Sequence, residues 1–107
     1  MISIIIVNYN GIEYTRAFLE SLRAVSPAGE HEIIVVDNCS TDGSKEIIQS
    51  EYPEVLLIQQ DRNEGFGKAN NVGARIARGE YLFFINNDVL LATPYLRVIR
   101  LRSFSSK

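Results

Sequence analysis

Ile2-Ser3-Ile4-Ile5-Ile6-Val7 is an almost unbroken run of β-branched residues. A strand without a polar face must be covered on both sides, which is the situation inside a parallel sheet. The pattern returns at Ile33-Ile34-Val35-Val36, more briefly at Val55 to Ile58, and again at Tyr81-Leu82-Phe83-Phe84-Ile85. Three of these runs end abruptly in polar residues: Asn8-Tyr9-Asn10-Gly11, Asp37-Asn38-Cys39-Ser40-Thr41-Asp42-Gly43 and Asn86-Asn87-Asp88. Apolar strands end that way where the backbone reaches a surface or a crevice.

Helical patterns separate the runs. Tyr14, Phe18, Leu22 and Val25 share a helix face over about residues 13–25, which Ser26-Pro27-Ala28-Gly29 ends. Ser40 or Asp42 can cap a short helix over about 43–51, and Pro53 stops it. Ala69, Val72, Ile76 and Ala77 mark the buried face of a helix over about 67–77, closed by Gly79. Thr93-Pro94 reads as the start of a last helix, about 94–102. The alternation of strand and helix predicts an α/β fold: a mainly parallel, Rossmann-like sheet with helices on both faces. The polar strand ends then share one rim, where ligands bind in such sheets.

Composition narrows the chemistry. At 107 residues the chain is one domain at most. A net charge of -2 gives no pull toward nucleic acid. The distribution is uneven: Arg97, Arg100, Arg102 and Lys107 stand without an acid in the last eleven residues. That basic tail can lie on an anionic membrane or be a solvated face. The single Cys39 excludes an internal disulfide and suits a reducing compartment. The single His31 leaves little for a histidine-based triad or metal cluster. No apolar run is long enough to span a bilayer, and the N-terminus lacks the basic start of a signal peptide. A cytoplasmic protein, peripheral to the inner face of the membrane at most, is expected.

At the rim, Asp37 can accept from a base N–H or a ribose hydroxyl, or cap its own turn. Tyr9 can stack on a nucleobase or pack at the mouth of the core. Asn87 and Asp88 are oxygen donors suited to Mg²⁺ or Mn²⁺, which protein sites hold with few carboxylates plus substrate phosphates. Neither a P-loop nor a Gly-x-Gly-x-x-Gly turn after the first strand is present. The glycines of Glu64-Gly65-Phe66-Gly67-Lys68 are expected to let that loop approach the rim closely.

Four blocks together resemble the N-terminal half of a GT-A glycosyltransferase of family 2, in its rhamnosyltransferase-like branch. They are Ser3–Asn10, Glu32–Ser44, Asn63–Gly73 and Ala77–Asp88, in that family's order and spacing. The resemblance implies a nucleotide-sugar-binding half over residues 1–94, followed by a basic helix and tail over 95–107. It implies that Asp37 pairs with the base of a UDP- or dTDP-sugar and that Tyr9 and Asn10 line the base pocket. Gly65 and Asn70 would lie near ribose and diphosphate, with Asn87 beside them. Asp88 would be the metal-binding end of an Asp-x-Asp motif whose first position is Asn86 here. Inverting transfer to a glycan or lipid-linked acceptor is implied. The family's catalytic base follows this region, and Val89 to Lys107 contain no Asp or Glu. The catalytic residue is therefore unassigned, and a truncated product is expected. A base supplied by a partner chain, or a non-catalytic binding or interaction module of the same fold, are the alternatives. A sheet left bare beyond the fourth strand would favour a homodimer.

Overall fold

The computed structural model describes residues 1–25, 31–86 and 97–100. The elements are β1 (Ile2–Asn8), α1 (Ile12–Val25), β2 (His31–Asp37), α2 (Ser44–Glu51), β3 (Leu56–Gln59), α3 (Phe66–Ile76), β4 (Tyr81–Asn86) and β5 (Arg97–Arg100). They form one sheet in the order β3-β2-β1-β4-β5. The first four strands are parallel, and β5 runs antiparallel to β4.

The β-branched runs lie where their composition demands. Ile5, Ile6, Ile34, Val35 and Val36 are completely buried. Alternation then sends neighbouring residues to opposite faces. Ile4, Ile6, Ile33 and Val35 pack with Leu19 of α1 and with Ile48 and Tyr52 at α2. Ile5, Val7, Ile34 and Val36 pack with Ala69 and Ala74 of α3. The chain therefore has a core on each side of β1 and β2, with α1 and α2 on one face and α3 on the other.

Several helix details differ from expectation. Tyr14 is exposed, and the buried stripe of α1 passes through Thr15 and Leu19, flanked by Ile12, Phe18 and Leu22. In α3, Ile76 is exposed and Gly73 faces the sheet. A Cβ on Gly73 would stand 2.6 Å from Cγ2 of Ile5, so the small residue permits the close helix–sheet approach. Gly79 does not close α3 by a left-handed turn. Ala77 is the C-cap, and Gly79 instead lies against the start of β1.

The expected helix over 94–102 is contradicted as well, since Arg97–Arg100 is a strand. Residues 94–96 and 101–102 lie outside the described residues. Val98-Ile99 is β-branched, and pairing with β4 satisfies backbone groups that an open edge would leave to water. The bare edge beyond β4 is thus paired from Tyr81↔Arg100 to Phe84↔Arg97. The homodimer expected through that edge loses its premise.

The amino-end rim is fastened by polar contacts. The Ser3 hydroxyl donates to Glu32 Oε2 (2.6 Å), the Arg78 amide donates to the same oxygen (2.5 Å), and the Gly79 amide donates to Ser3 Oγ (2.9 Å). These bonds join the starts of β1, β2 and β4. Burial alone would raise the Glu32 pKa, but the Arg78 amide, the Ser3 hydroxyl and the Arg78 guanidinium together hold it below its ordinary 4.5. A carboxylate with a depressed folded-state pKa contributes stability above the unfolded pKa and loses it as pH falls through the folded one. Wild-type stability should therefore fall as pH drops below about 4.5, and Glu32→Gln should make that fall shallower. Urea titrations between about pH 3 and 7 measure this, and parallel profiles for the two proteins would refute it.

Candidate functional site

Strand order locates the site. The chain passes outward from β1 to β2 to β3, then returns to the other side of β1 with β4. The topological switch therefore lies between β1 and β4, and ligands in open α/β sheets bind outside the carboxyl ends of strands at such a point. Val7 pairs with Asn86 and Asn8 with Asp37, so three strands end level there.

The loops after β1 and β2 are locked together. Asn8 Nδ2 donates to Asp37 Oδ1 (2.8 Å) and to Ser40 Oγ (3.2 Å). The Ser40 hydroxyl donates to Asp37 Oδ1 (2.6 Å), and the Ser40 amide donates to Asp37 Oδ2 (2.9 Å). Ser40 Oγ also accepts the Asn10 amide (2.9 Å), and Asn10 Oδ1 accepts the Thr41 amide (2.7 Å). From below, the Thr15 hydroxyl of α1 donates to Asn8 Oδ1 (2.6 Å).

Asp42 finishes the seam. It accepts the Ser44 amide (3.0 Å), the Ser44 hydroxyl and the Ile12 amide (3.4 Å), serving the N-termini of α2 and α1 at once. Gly43 occupies the N-cap position of α2. Burial works against ionisation of Asp42, but the Ser44 and Ile12 bonds prevail and lower its pKa.

The loop after β3 is pinned to the same seam. The Gln60 amide donates to the Asp37 carbonyl (2.9 Å), Asn38 Nδ2 to the Gly65 carbonyl (3.1 Å) and Cys39 Sγ to the Asp61 carbonyl (3.3 Å). Gly65 has φ 90 and ψ 165, a conformation reserved almost entirely for glycine. A Cβ on Gly65 or Gly67 would meet nothing within 4 Å. The expectation that these glycines serve close approach is corrected: backbone conformation explains Gly65, and Gly67 has open space.

The predicted residues thus fall into four groups. Asp37 and Asn10 are held inside the seam, with Asp37 completely buried. Its carboxylate accepts three hydrogen bonds from Asn8 and Ser40, so it caps the turn, one of the two roles expected of it. Tyr9 is 50% exposed, which leaves its ring free to meet a ligand. Gly65 is the N-cap of α3, and Asn70 lies in its second turn. Asn87 and Asp88 lie outside the described residues. Among the described residues no group of three or more His, Cys, Asp or Glu could hold a metal.

Residue-by-residue reading missed Asn8, Thr15, Asn38 and Ser40. Thr15 had a signal, since Ile12, Thr15, Leu19 and Leu22 follow helical spacing and place a hydroxyl on the inward face. Two buried acceptors, Asn38 Oδ1 and Asn70 Oδ1, have no hydrogen-bond partner among the described residues. Buried carbonyl oxygens are seldom left so.

A mainly parallel sheet with a switch point beside its central strand, and with polar loops fixed there, defines an α/β domain with a ligand rim at its strand ends. Comparison with known proteins narrows the class. A family model described as glycosyl transferase family 2 matches residues 3–99. The poly(ribitol-phosphate) beta-glucosyltransferase of Bacillus spizizenii is 34% identical over 111 aligned residues, which take in 99% of this chain and 17% of that protein. The crystal structure of Staphylococcus aureus TarS 1-349 in complex with UDP superposes with a TM-score of 0.74 at 33% identity, covering 81% of this chain and 27% of that one. The mannosyltransferase PcManGT of Pyrobaculum calidifontis, in complex with GDP-Man and Mn²⁺, gives 0.74 at 25% identity with the same coverages. The chain belongs to glycosyl transferase family 2, and its fold is the GT-A fold of those neighbours. It spans well under a third of the length of these relatives.

Proposed function

We propose that this chain binds the nucleoside diphosphate part of a nucleotide sugar at the carboxyl-end rim, as the donor side of an inverting glycosyl transfer. The observation that carries this reading is the seam itself: three loops joined at the switch point by hydrogen bonds that run from the buried Asn8–Asp37 pair out to the surface. Hydrogen bonds of this kind pre-organise the loops after β1, β2 and β3, and pre-organisation favours binding. The UDP and GDP-Man complexes of the two structural neighbours support the same reading.

In this reading Tyr9 offers its exposed ring to the base. Asp37 acts through the loop it holds, and Asn10 keeps the two loop edges together. Gly65 sets the backbone at the start of α3, where free amides of a helix N-terminus favour an anion. Asn70 brings an amide side chain to the same helix. Asn87 and Asp88 follow β4 directly in sequence, and their oxygen donors fit Mg²⁺ or Mn²⁺ in chemistry. When bound, the cation supplies charge stabilisation for the departing diphosphate. The acceptor is a glycan or a lipid-linked saccharide, and the base lies outside the residues assigned here.

Calorimetric titration of the chain with UDP, dTDP and GDP in the presence of Mn²⁺ tests the proposal. Saturable binding is expected for at least one nucleotide, with a clear loss on chelation. Asp88→Ala should weaken it by about tenfold or more, equivalent to roughly 1.4 kcal/mol. A folded chain that binds none of the three would refute the reading.

A further inference from the structure

We propose that Asn8 and Thr15 are positioning residues for the nucleotide rim, acting through Ser40 and Asp37 rather than by touching the ligand. The inference rests on the nucleotide-binding reading above. Both residues are completely buried, so neither offers a surface to a ligand. Both are nevertheless polar, and the bonds from the Thr15 hydroxyl through the Asn8 side chain to Asp37 and Ser40 run from α1 toward the rim.

Chemistry fixes that direction. Asp37 in its ionised form only accepts hydrogen bonds. The Asn8 atom 2.8 Å from Asp37 Oδ1 must therefore be the amide nitrogen. That places Asn8 Oδ1 toward α1, where the Thr15 hydroxyl donates to it across 2.6 Å. The hydroxyl thus determines which way the amide faces and polarises it toward Asp37. Asn8 Nδ2 also reaches Ser40 Oγ, the atom that receives the Asn10 amide. Its main-chain carbonyl accepts the Asn38 amide (2.8 Å). Asn8 therefore grips the loop after β2 by side chain and backbone together. A hydroxyl on the first helix controls the placement of Ser40 and Thr41 from beneath.

A pair of substitutions separates positioning from simple stability. Thr15→Val keeps the side-chain shape and removes the hydroxyl, whereas Thr15→Ser keeps the hydroxyl and removes a buried methyl. Both should lower the melting temperature. Only Thr15→Val should weaken UDP binding in the presence of Mn²⁺, by about three- to tenfold measured well below the melting range, and Asn8→Ala by more than about tenfold. Amide hydrogen exchange supplies a readout independent of ligand. Protection of Ser40 and Thr41 should fall in Thr15→Val by more than its change in global stability, and remain in Thr15→Ser.

The inference is overturned if the dissociation constant follows melting temperature in both variants instead of the presence of the hydroxyl. Unchanged relative protection of Ser40 and Thr41 in Thr15→Val overturns it equally. Absence of binding of UDP, dTDP and GDP alike by the wild type would defeat the nucleotide reading, and the exchange result would then decide the positioning role alone.

Discussion

Replacing Asp37 by Ala is expected to cost about 3 kcal/mol, because it takes the acceptor from one buried and two part-buried donors at one stroke. The Ser40 amide, the Ser40 hydroxyl and the Asn8 amide all point at this carboxylate. Each unsatisfied buried donor costs on the order of 1–3 kcal/mol, less where a second partner or entering water compensates. Asn8 Nδ2 retains Ser40 Oγ at 3.2 Å, which keeps the total below a simple sum. A domain of this size has only about 5–15 kcal/mol to lose.

Asp37→Asn provides the graded control. Its carbonyl can still accept on the Asn8 side, while its new NH₂ group faces the Ser40 amide, donor against donor. A loss of about 1–2 kcal/mol is expected, smaller than for Ala. Urea unfolding midpoints with unchanged slopes would measure both. If Asp37→Ala fell within about 1 kcal/mol of wild type, the seam would not be the structural element described here.

Gly79→Ala should be the other severe substitution, for an unrelated reason. A Cβ there would stand 2.6 Å from the Met1 carbonyl oxygen, 2.6 Å from Ser3 Oγ and 2.8 Å from the Ser3 amide nitrogen. Two of these are backbone atoms at the start of β1, which pairs with strands on both sides. The chain cannot yield there without disturbing the register of the sheet, or the bonds from the Gly79 amide to Ser3 and from the Glu80 amide to Met1. A cost of about 3 kcal/mol is expected. Gly65→Ala has open space but an unfavourable backbone, so about 1–3 kcal/mol is expected. Gly67→Ala has neither constraint and lies in the first turn of a helix, so stability should hold or rise slightly. Thermal and urea unfolding of the three variants should rank them in that order. Gly79→Ala no worse than Gly67→Ala would refute the close approach.

Much of the fold was legible before the structure. β-Branched runs such as Ile33–Val36 have no polar face, so a doubly covered sheet was the available solution, and the alternation with helices made it parallel. The polar strand ends marked the rim for the same reason: a buried strand cannot turn polar while still inside. The basic tail segment was misread because short runs containing Val-Ile suit helix or strand, and the neighbouring β4 edge decided between them. The inward face of α1 was misjudged because Thr15 is polar, and only its bond to Asn8 reveals why it is buried.

The sequence by itself determined the class of sheet, the order of the first seven elements, the family resemblance and the rim on which binding groups would gather. The sheet, the elements and the rim follow from composition and period, and the resemblance follows from the four matching blocks; all of these are local to the sequence. The tertiary structure decided how the named groups are used. Asp37 and Ser40 are separated by two residues, but Asn8 and Thr15 reach them from other elements, and only the packed sheet and α1 bring the four together. Hydrogen-bond partnership is a matter of distance and direction, and neither is written along the chain.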